Sequence, residues 1–160
     1  MRRFLAAFIL LAAASAPAIQ IVDADGYTLK HGQTATTELW VLAPNVAVGG
    51  TVEDDFLAAC IGGPSGLGEA RLTGRFQNDV GVFGAAINFS GDAKEHARFL
   101  ANEITMDGSV GLSVLALGNT VTLTSNSVIK GDVVLVGQSV VVGGRIRGNL
   151  RILANSATFN

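Results

Sequence analysis

Apolar residues in this chain come in short alternating bursts, and the bursts return at a fixed distance. The first apolar residue of each Val-x-Val-like pair falls at Leu29, Val46, Ala70, Ile87, Ile104, Val121, Val140 and Ala157, with spacings of 17, 24, 17, 17, 17, 19 and 17. The long spacing contains Gly62-Gly63-Pro64-Ser65-Gly66-Leu67-Gly68, a turn-forming insertion. The 19 carries its spare pair within Thr124-Ser125-Asn126-Ser127. With these set aside, apolar residues recur at offsets 0, 2, 6, 10 and 12 from each anchor, as in Val140, Val142, Ile146, Leu150 and Ile152. Glycine holds offset 4 at Gly50, Gly74, Gly91, Gly108 and Gly144, and a small residue holds offset 14.

Strand side chains alternate with period two, so offsets 0 and 2 share one face of a strand, as do 10 and 12. Offset 6 supplies one inward residue on a third, short segment. Glycine at offset 4 is expected to ease a tight corner, where a positive φ is needed. Each repeat is therefore a three-sided coil that cannot bury its own apolar side, whereas a stack of coils buries a continuous core. The predicted fold is an all-β, single-stranded, three-sided β-solenoid of about 17 residues per coil and roughly seven coils, over residues 29–160. The eighth coil has only begun at Asn160, and a stack continuing past that residue is kept beside this reading. The left-handed hexapeptide solenoid is set aside, because a 17-residue period does not divide into equal sixes.

The pattern Gly131-Asp132-Val133-Val134-Leu135-Val136-Gly137-Gln138-Ser139-Val140-Val141-Val142-Gly143-Gly144, repeated in kind at 39–52, resembles the bactofilin-type, polymer-forming β-helix repeat. The resemblance covers 29–160. It implies a right-handed, triangular β-helix whose ends pair into non-polar filaments without nucleotide. Bactofilins of the usual kind are cytoplasmic and carry flexible tails, whereas an export leader is expected for this chain and the sequence stops four residues into its eighth coil.

Residues 1–18 read as a signal peptide. Arg2 and Arg3 precede an apolar run from Phe4 to Ala14, and Ala16-Pro17-Ala18 supplies a small-residue cleavage pattern. The run is shorter than the ~20 residues a membrane helix needs. Residues 19–28 are expected to be an N-terminal lead-in, and the protein to be exported to the periplasm, envelope or cell surface.

Composition narrows the function classes. Charged residues are only 15% of the chain and apolar ones 49%, which excludes a disordered chain. A single cysteine excludes a disulfide framework or a Cys-rich zinc site. The net charge of −2 gives no reason to expect nucleic acid as a partner.

The chemistry-bearing residues each have a plain structural reading. His31 falls at an inward offset of the first coil, as a half-covered cap residue. His96 falls at offset 9, a corner column shared with Glu38, Asp55, Asp79, Ser113, Asp132 and Asn149. The two histidines lie four coils apart and cannot share an ion. Stacked Glu38, Asp55 and Asp79 would stand about 5 Å apart, a spacing compatible with a polysaccharide-cleaving pair or a calcium ladder. Asp, Asn and Ser also satisfy backbone groups at tight turns, and that reading is preferred. No metal or cofactor is expected; were a cation bound, Glu53, Asp54, Asp55 and Asp79 are the first candidates. Cys60 ends a lipoprotein-box imitation, Leu57-Ala58-Ala59-Cys60, inside a coil, and reads as a packed thiol. Asp23-Ala24-Asp25-Gly26 lacks the later ligands of a calcium loop. Arg145, Arg147, Arg151 and Lys130 suggest an anionic glycan or membrane surface, against the simpler reading of solvated positions.

No nucleophile, base and orienting group come together in this pattern. The expectation is a non-enzymatic, self-associating structural protein of the cell envelope, with a second copy as partner and end-to-end coil stacking as mechanism. Ile152, Ala157 and Phe159 at one end and Leu29, Ala35 and Leu39 at the other are the expected contacts. The alternative is a glycan-binding or polysaccharide-cleaving solenoid using the acidic corner.

Overall fold

Parallel ladders running through the described residues make up the structure, a computed structural model that describes residues 19–62 and 66–160. The expected signal peptide lies outside the described residues. Strands come in triplets. The first coil is β1 (Gln20–Asp23), β2 (Tyr27–Leu29) and β3 (Thr34–Ala35), and the second is β4 (Leu39–Leu42), β5 (Asn45–Val48) and β6 (Thr51–Val52). The third is β7 (Phe56–Ala59), β8 (Glu69–Leu72) and β9 (Arg75–Phe76). From there the first two sides often fuse into one bent strand: β10 (Val80–Phe89) with β11 (Asp92–Ala93), then β12 (Ala97–Met106) with β13 (Ser109–Val110). The sixth coil is β14 (Val114–Leu117), β15 (Thr120–Leu123) and β16 (Val128–Ile129). β17 (Val133–Val142), β18 (Arg145–Ile146) and β19 (Leu150–Phe159) complete the stack.

Every coil pairs in parallel with the next. The first face is the column containing β1, β4 and β7, and the second face holds β2, β5 and β8. A separate seven-stranded sheet from β3 to β18 forms the third, short face. There is no helix among the described residues. The fold is thus a β-solenoid of about eight coils, and at ~4.8 Å per rung it is a rod roughly 34 Å long.

The five apolar columns do point inward. Val46, Val48, Val52, Phe56 and Ala58 in one coil, and Ile104, Met106, Val110, Val114 and Ala116 in another, are all buried. Phe56, Phe76, Phe89 and Phe99 cross this core as a chain of tilted rings, with successive centroids 5.4, 6.3 and 5.5 Å apart. Such spacings lie in the favourable range for aromatic pairs.

Three expectations are corrected. The first anchor is Tyr27, not Leu29: Tyr27 pairs with Val46 and Leu29 with Val48. Beyond Leu29 the segment Lys30-His31-Gly32-Gln33 carries two spare residues, as Thr124 to Ser127 does in the sixth coil, so Ala35 regains its place opposite Val52. His31 is consequently an exposed turn residue beside Gly32, whose φ is 83°, and caps nothing.

The glycine column does not serve left-handed backbone either. Among the described residues, positive φ occurs only at Gly32, Gly62 and Gly66. At Gly50, Gly74, Gly91 and Gly108 a Cβ would instead fall within 3.0 Å of the carbonyl oxygen of the corner beneath. These glycines allow corners to stack at strand spacing. Ser127 stands in this column in the enlarged sixth coil, with its hydroxyl donating to the Thr124 carbonyl at 2.8 Å.

The third correction concerns the lead-in. Residues 20–23 form a full rung, with Gln20 opposite Leu39 and Val22 opposite Val41.

Candidate functional site

The corner at offset 9 is a ladder of side-chain caps. The Asp55 carboxylate accepts the Asp79 backbone N–H at 3.2 Å, and Asp79 accepts that of His96 at 3.1 Å. His96 Nδ1 takes the Ser113 N–H at 3.4 Å and lies 2.5 Å from Ser113 Oγ, while Asp132 accepts the Asn149 N–H at 2.8 Å. At these four steps a side chain of one coil satisfies a backbone donor of the next, at a tight corner. Asp54 is used similarly, accepting from Asn78 at 3.0 Å and from the Asp55 N–H at 2.9 Å.

The cation candidates Glu53, Asp54, Asp55 and Asp79 are therefore not assembled into a site. Among the described residues no three acid, histidine or cysteine side chains converge as metal ligands. Burial alone would raise the Asp79 carboxyl. The Arg98 hydrogen bond, the His96 N–H and the neighbouring positive charge outweigh it and hold the group below the ordinary aspartate range. The Arg98 guanidinium reaches Asp79 at 2.6 Å. Asp132 is also lowered, chiefly by the Asn149 backbone and side-chain amides.

Cys60 is fully buried at the corner between the first and second faces, and burial pushes its thiol up to about 11. It is a packed thiol, as expected, and not a nucleophile. At the base of the insertion Ile61 bridges Leu67 in antiparallel fashion, and Gly62 donates to the Gly66 carbonyl at 3.1 Å. The basic residues do not all share one face. Arg145 lies on the third face, whereas Arg151 lies on the first.

The two ends differ from expectation in one respect. At the last rung, β19 pairs only with β17, and its inward residues are poorly covered: Ile152 is half-buried, Ala157 is exposed and Phe159 is 66% exposed. At the other end Leu39, in the second coil, is 0% exposed, because β1 lies over it. Leu39 is therefore removed from the expected contact set. Leu29 and Ala35 do belong to outermost strands, though their side chains are 8% and 7% exposed. The open backbone edges there belong to β1, β2 and β3.

The largest feature was not anticipated. The outward side of the first face is apolar nearly from end to end, with Ile21, Trp40, Leu57, Phe83, Leu100 and Leu153 among its exposed side chains. A groove of about 570 Å³ runs along it between Trp40, Leu42 and Phe83, over Gly81. Trp40 Nε1 is satisfied by Glu38 at 2.7 Å, so only its apolar rings are on offer. The signal was present in unbroken runs such as Leu39-Trp40-Val41-Leu42 and Val133-Val134-Leu135-Val136. Continuous apolar strands are characteristic of sheets covered on both sides.

No known family, curated protein or solved structure matches this chain.

Proposed function

We propose that this chain is a non-enzymatic, self-associating structural solenoid, exported to the cell envelope, that assembles by end-to-end stacking of coils in the manner the bactofilin-type resemblance implies. The observation that carries the reading is the β19 edge. Alternate residues of this ten-residue strand turn their N–H and C=O groups away from β17, beside the uncovered Ile152, Ala157 and Phe159. Such an edge is a template for a further strand. The complementary edges are β1, β2 and β3, which close no ladder of their own at the opposite end. A parallel rung arriving from a second copy would continue the same 4.8 Å repeat and the same inward columns.

Sedimentation velocity across a concentration range, with electron microscopy of heavy fractions, tests this on the chain from Ile19, which contains every described strand. The expected result is concentration-dependent rods one coil stack wide, lost in Phe159→Asp while the strand spectrum is kept. Rods unchanged by Phe159→Asp remove that residue from the contact. Their absence at every concentration overturns end-to-end assembly.

A further inference from the structure

We propose a second interface, independent of the rod ends: the apolar outer side of the first face packs against the same face of a second copy, with the two rods antiparallel. Eight large side chains, from Ile21 in the first coil to Leu153 in the eighth, stand 36–72% exposed on this one face. At on the order of 200 Å² for each large side chain, they bare roughly 800 Å². A monomer's largest apolar patch is typically about 300–600 Å², and a standard interface covers about 800 Å² on each partner. The area is that of a complete interface.

The few polar residues on the face select the second copy and its direction. Two outward columns run up the face. One reads Ile21, Trp40, Leu57, Gly81, Arg98, Leu115, Val134, Arg151; the other begins at Asp23 and ends at Leu153. A two-fold axis parallel to the strands sets the first coil against the eighth and the fourth against the fifth. Asp23 then faces Leu153 of the second copy with Arg151 on the diagonal, two residues along the strand, and Arg151 faces Ile21 with Asp23 on the diagonal, so each charge at the rim gains an opposite neighbour, twice over by symmetry. At the centre, Gly81 of the fourth coil faces Arg98 of the fifth. The residue without a side chain leaves room for the one long polar side chain, which is already tied to Asp79 at the corner. Phe83 meets Leu100. Parallel rods would instead put a second Asp23 on the diagonal from Asp23 and a second Arg151 on the diagonal from Arg151, so that each charge at the rim would gain a like neighbour. A bilayer would offer neither a basic neighbour to Asp23 nor a position without a side chain opposite Arg98.

The test uses the chain from Ile19 in the Phe159→Asp background, which on the end-to-end reading removes association through the ends, and electron microscopy checks that no rods remain. Sedimentation equilibrium should find a dimer. Leu57→Lys with Leu100→Lys should weaken it at least tenfold without lowering the melting temperature appreciably, since both side chains point outward. Leu57→Thr with Leu100→Thr serves the same purpose with strand-favouring residues. Asp23→Arg and Arg151→Asp should each weaken the dimer severalfold, and the two together should restore it. A monomer at about 100 μM, or a dimer indifferent to both double variants, overturns the interface. Failure of the charge exchange to restore affinity overturns the antiparallel arrangement. A chain that stays monomeric and binds phosphatidylcholine vesicles through this face makes its partner a bilayer, and overturns the second copy.

Discussion

The first and second faces of the solenoid are built from equal numbers of rungs and point equally apolar columns into one core, yet their outer surfaces are opposites. Outward positions on the second face carry Asn45, Glu69, Arg71, Asn88, Glu103, Thr105, Thr120 and Thr122, an ordinary solvated strand pattern. Those on the first face carry leucine, valine, isoleucine, phenylalanine and tryptophan, broken by Gly81, two arginines and Asp23. Coil stacking explains the inward columns of both faces but requires nothing of the outward ones. The asymmetry is therefore information about what lies outside the rod. Apolar outward side chains on eight successive rungs contribute nothing to the core and raise the risk of non-specific association. A surface of that kind is explained by something that covers it.

The comparison is broken first at the core, where the two faces should be equivalent. Ile104 on the second face and Leu135 on the first are both 0% exposed. Truncating either to alanine should cost about 2–5 kcal/mol in urea denaturation. A clear loss at one and none at the other would mean that the faces fold as separate units. Phe89→Ala belongs at the upper end, about 3–5 kcal/mol, because it removes the ring that links Phe76 to Phe99.

Next come the corners on which both faces depend. Gly91→Ala places a methyl group against the Gly74 carbonyl oxygen. Since backbone and not a flexible side chain must yield, a loss of about 1–3 kcal/mol is expected. An unchanged denaturation midpoint would show that corners can spread apart, and would remove the steric account of the glycine column.

Exchanging the outer surfaces sharpens the comparison directly. Thr105→Leu with Thr122→Leu gives the second face an apolar patch, and Leu57→Thr with Leu100→Thr removes one from the first. Both pairs should alter stability by no more than about 0.5 kcal/mol each, read by thermal melting. Their association, read by sedimentation, should move in opposite directions. Equal behaviour of the two pairs would mean that the outer faces differ in composition but not in use.

These contrasts also mark how far the sequence could be read. The inward columns are legible because they recur at five offsets through successive coils, and burial of Val46, Ile104 or Val133 follows from that phase alone. The first coil is not, because its anchor is the aromatic Tyr27 and its two spare residues, between Leu29 and Ala35, make Leu29 look like an anchor. The glycine column is visible, but its cause is not: steric contact between coils is a property of the stack, and no single turn contains it. The corner acids are legible as turn chemistry from the mixture of Asp, His, Ser and Asn. What the columns hide is the outer face. A search for alternation discards Trp40, Leu57 and Leu115 as the residues in between, although their apolar character is the least expected feature of the chain.

The smallest effect concerns the single place where the acidic corner and the apolar face meet. Asp79 holds Arg98 at 2.6 Å, drawing the one central charge of the first face toward the rim. The carboxyl is lowered in the folded chain against the raising effect of burial, by Arg98 and the His96 N–H. A depressed folded value means that the folded chain holds its proton less tightly than the unfolded one. The stabilisation is then complete above the unfolded aspartate range, about pH 4, and is lost as pH falls through the lower folded value. Wild type and Asp79→Asn should differ by a fraction of a molar in urea midpoint at pH 7, and the difference should close below pH 4 because protonation makes the two side chains alike in charge. Asp132 contributes its own acid slope in both proteins and cancels from the difference. Protonating Asp79 also releases Arg98 onto the apolar surface, so association through the first face should weaken more on acidification in wild type than in Asp79→Asn, where Arg98 lacks that carboxylate at every pH. A gap between the two proteins that stays constant from pH 7 to pH 3 would mean that Arg98 is positioned by packing and not by the carboxylate.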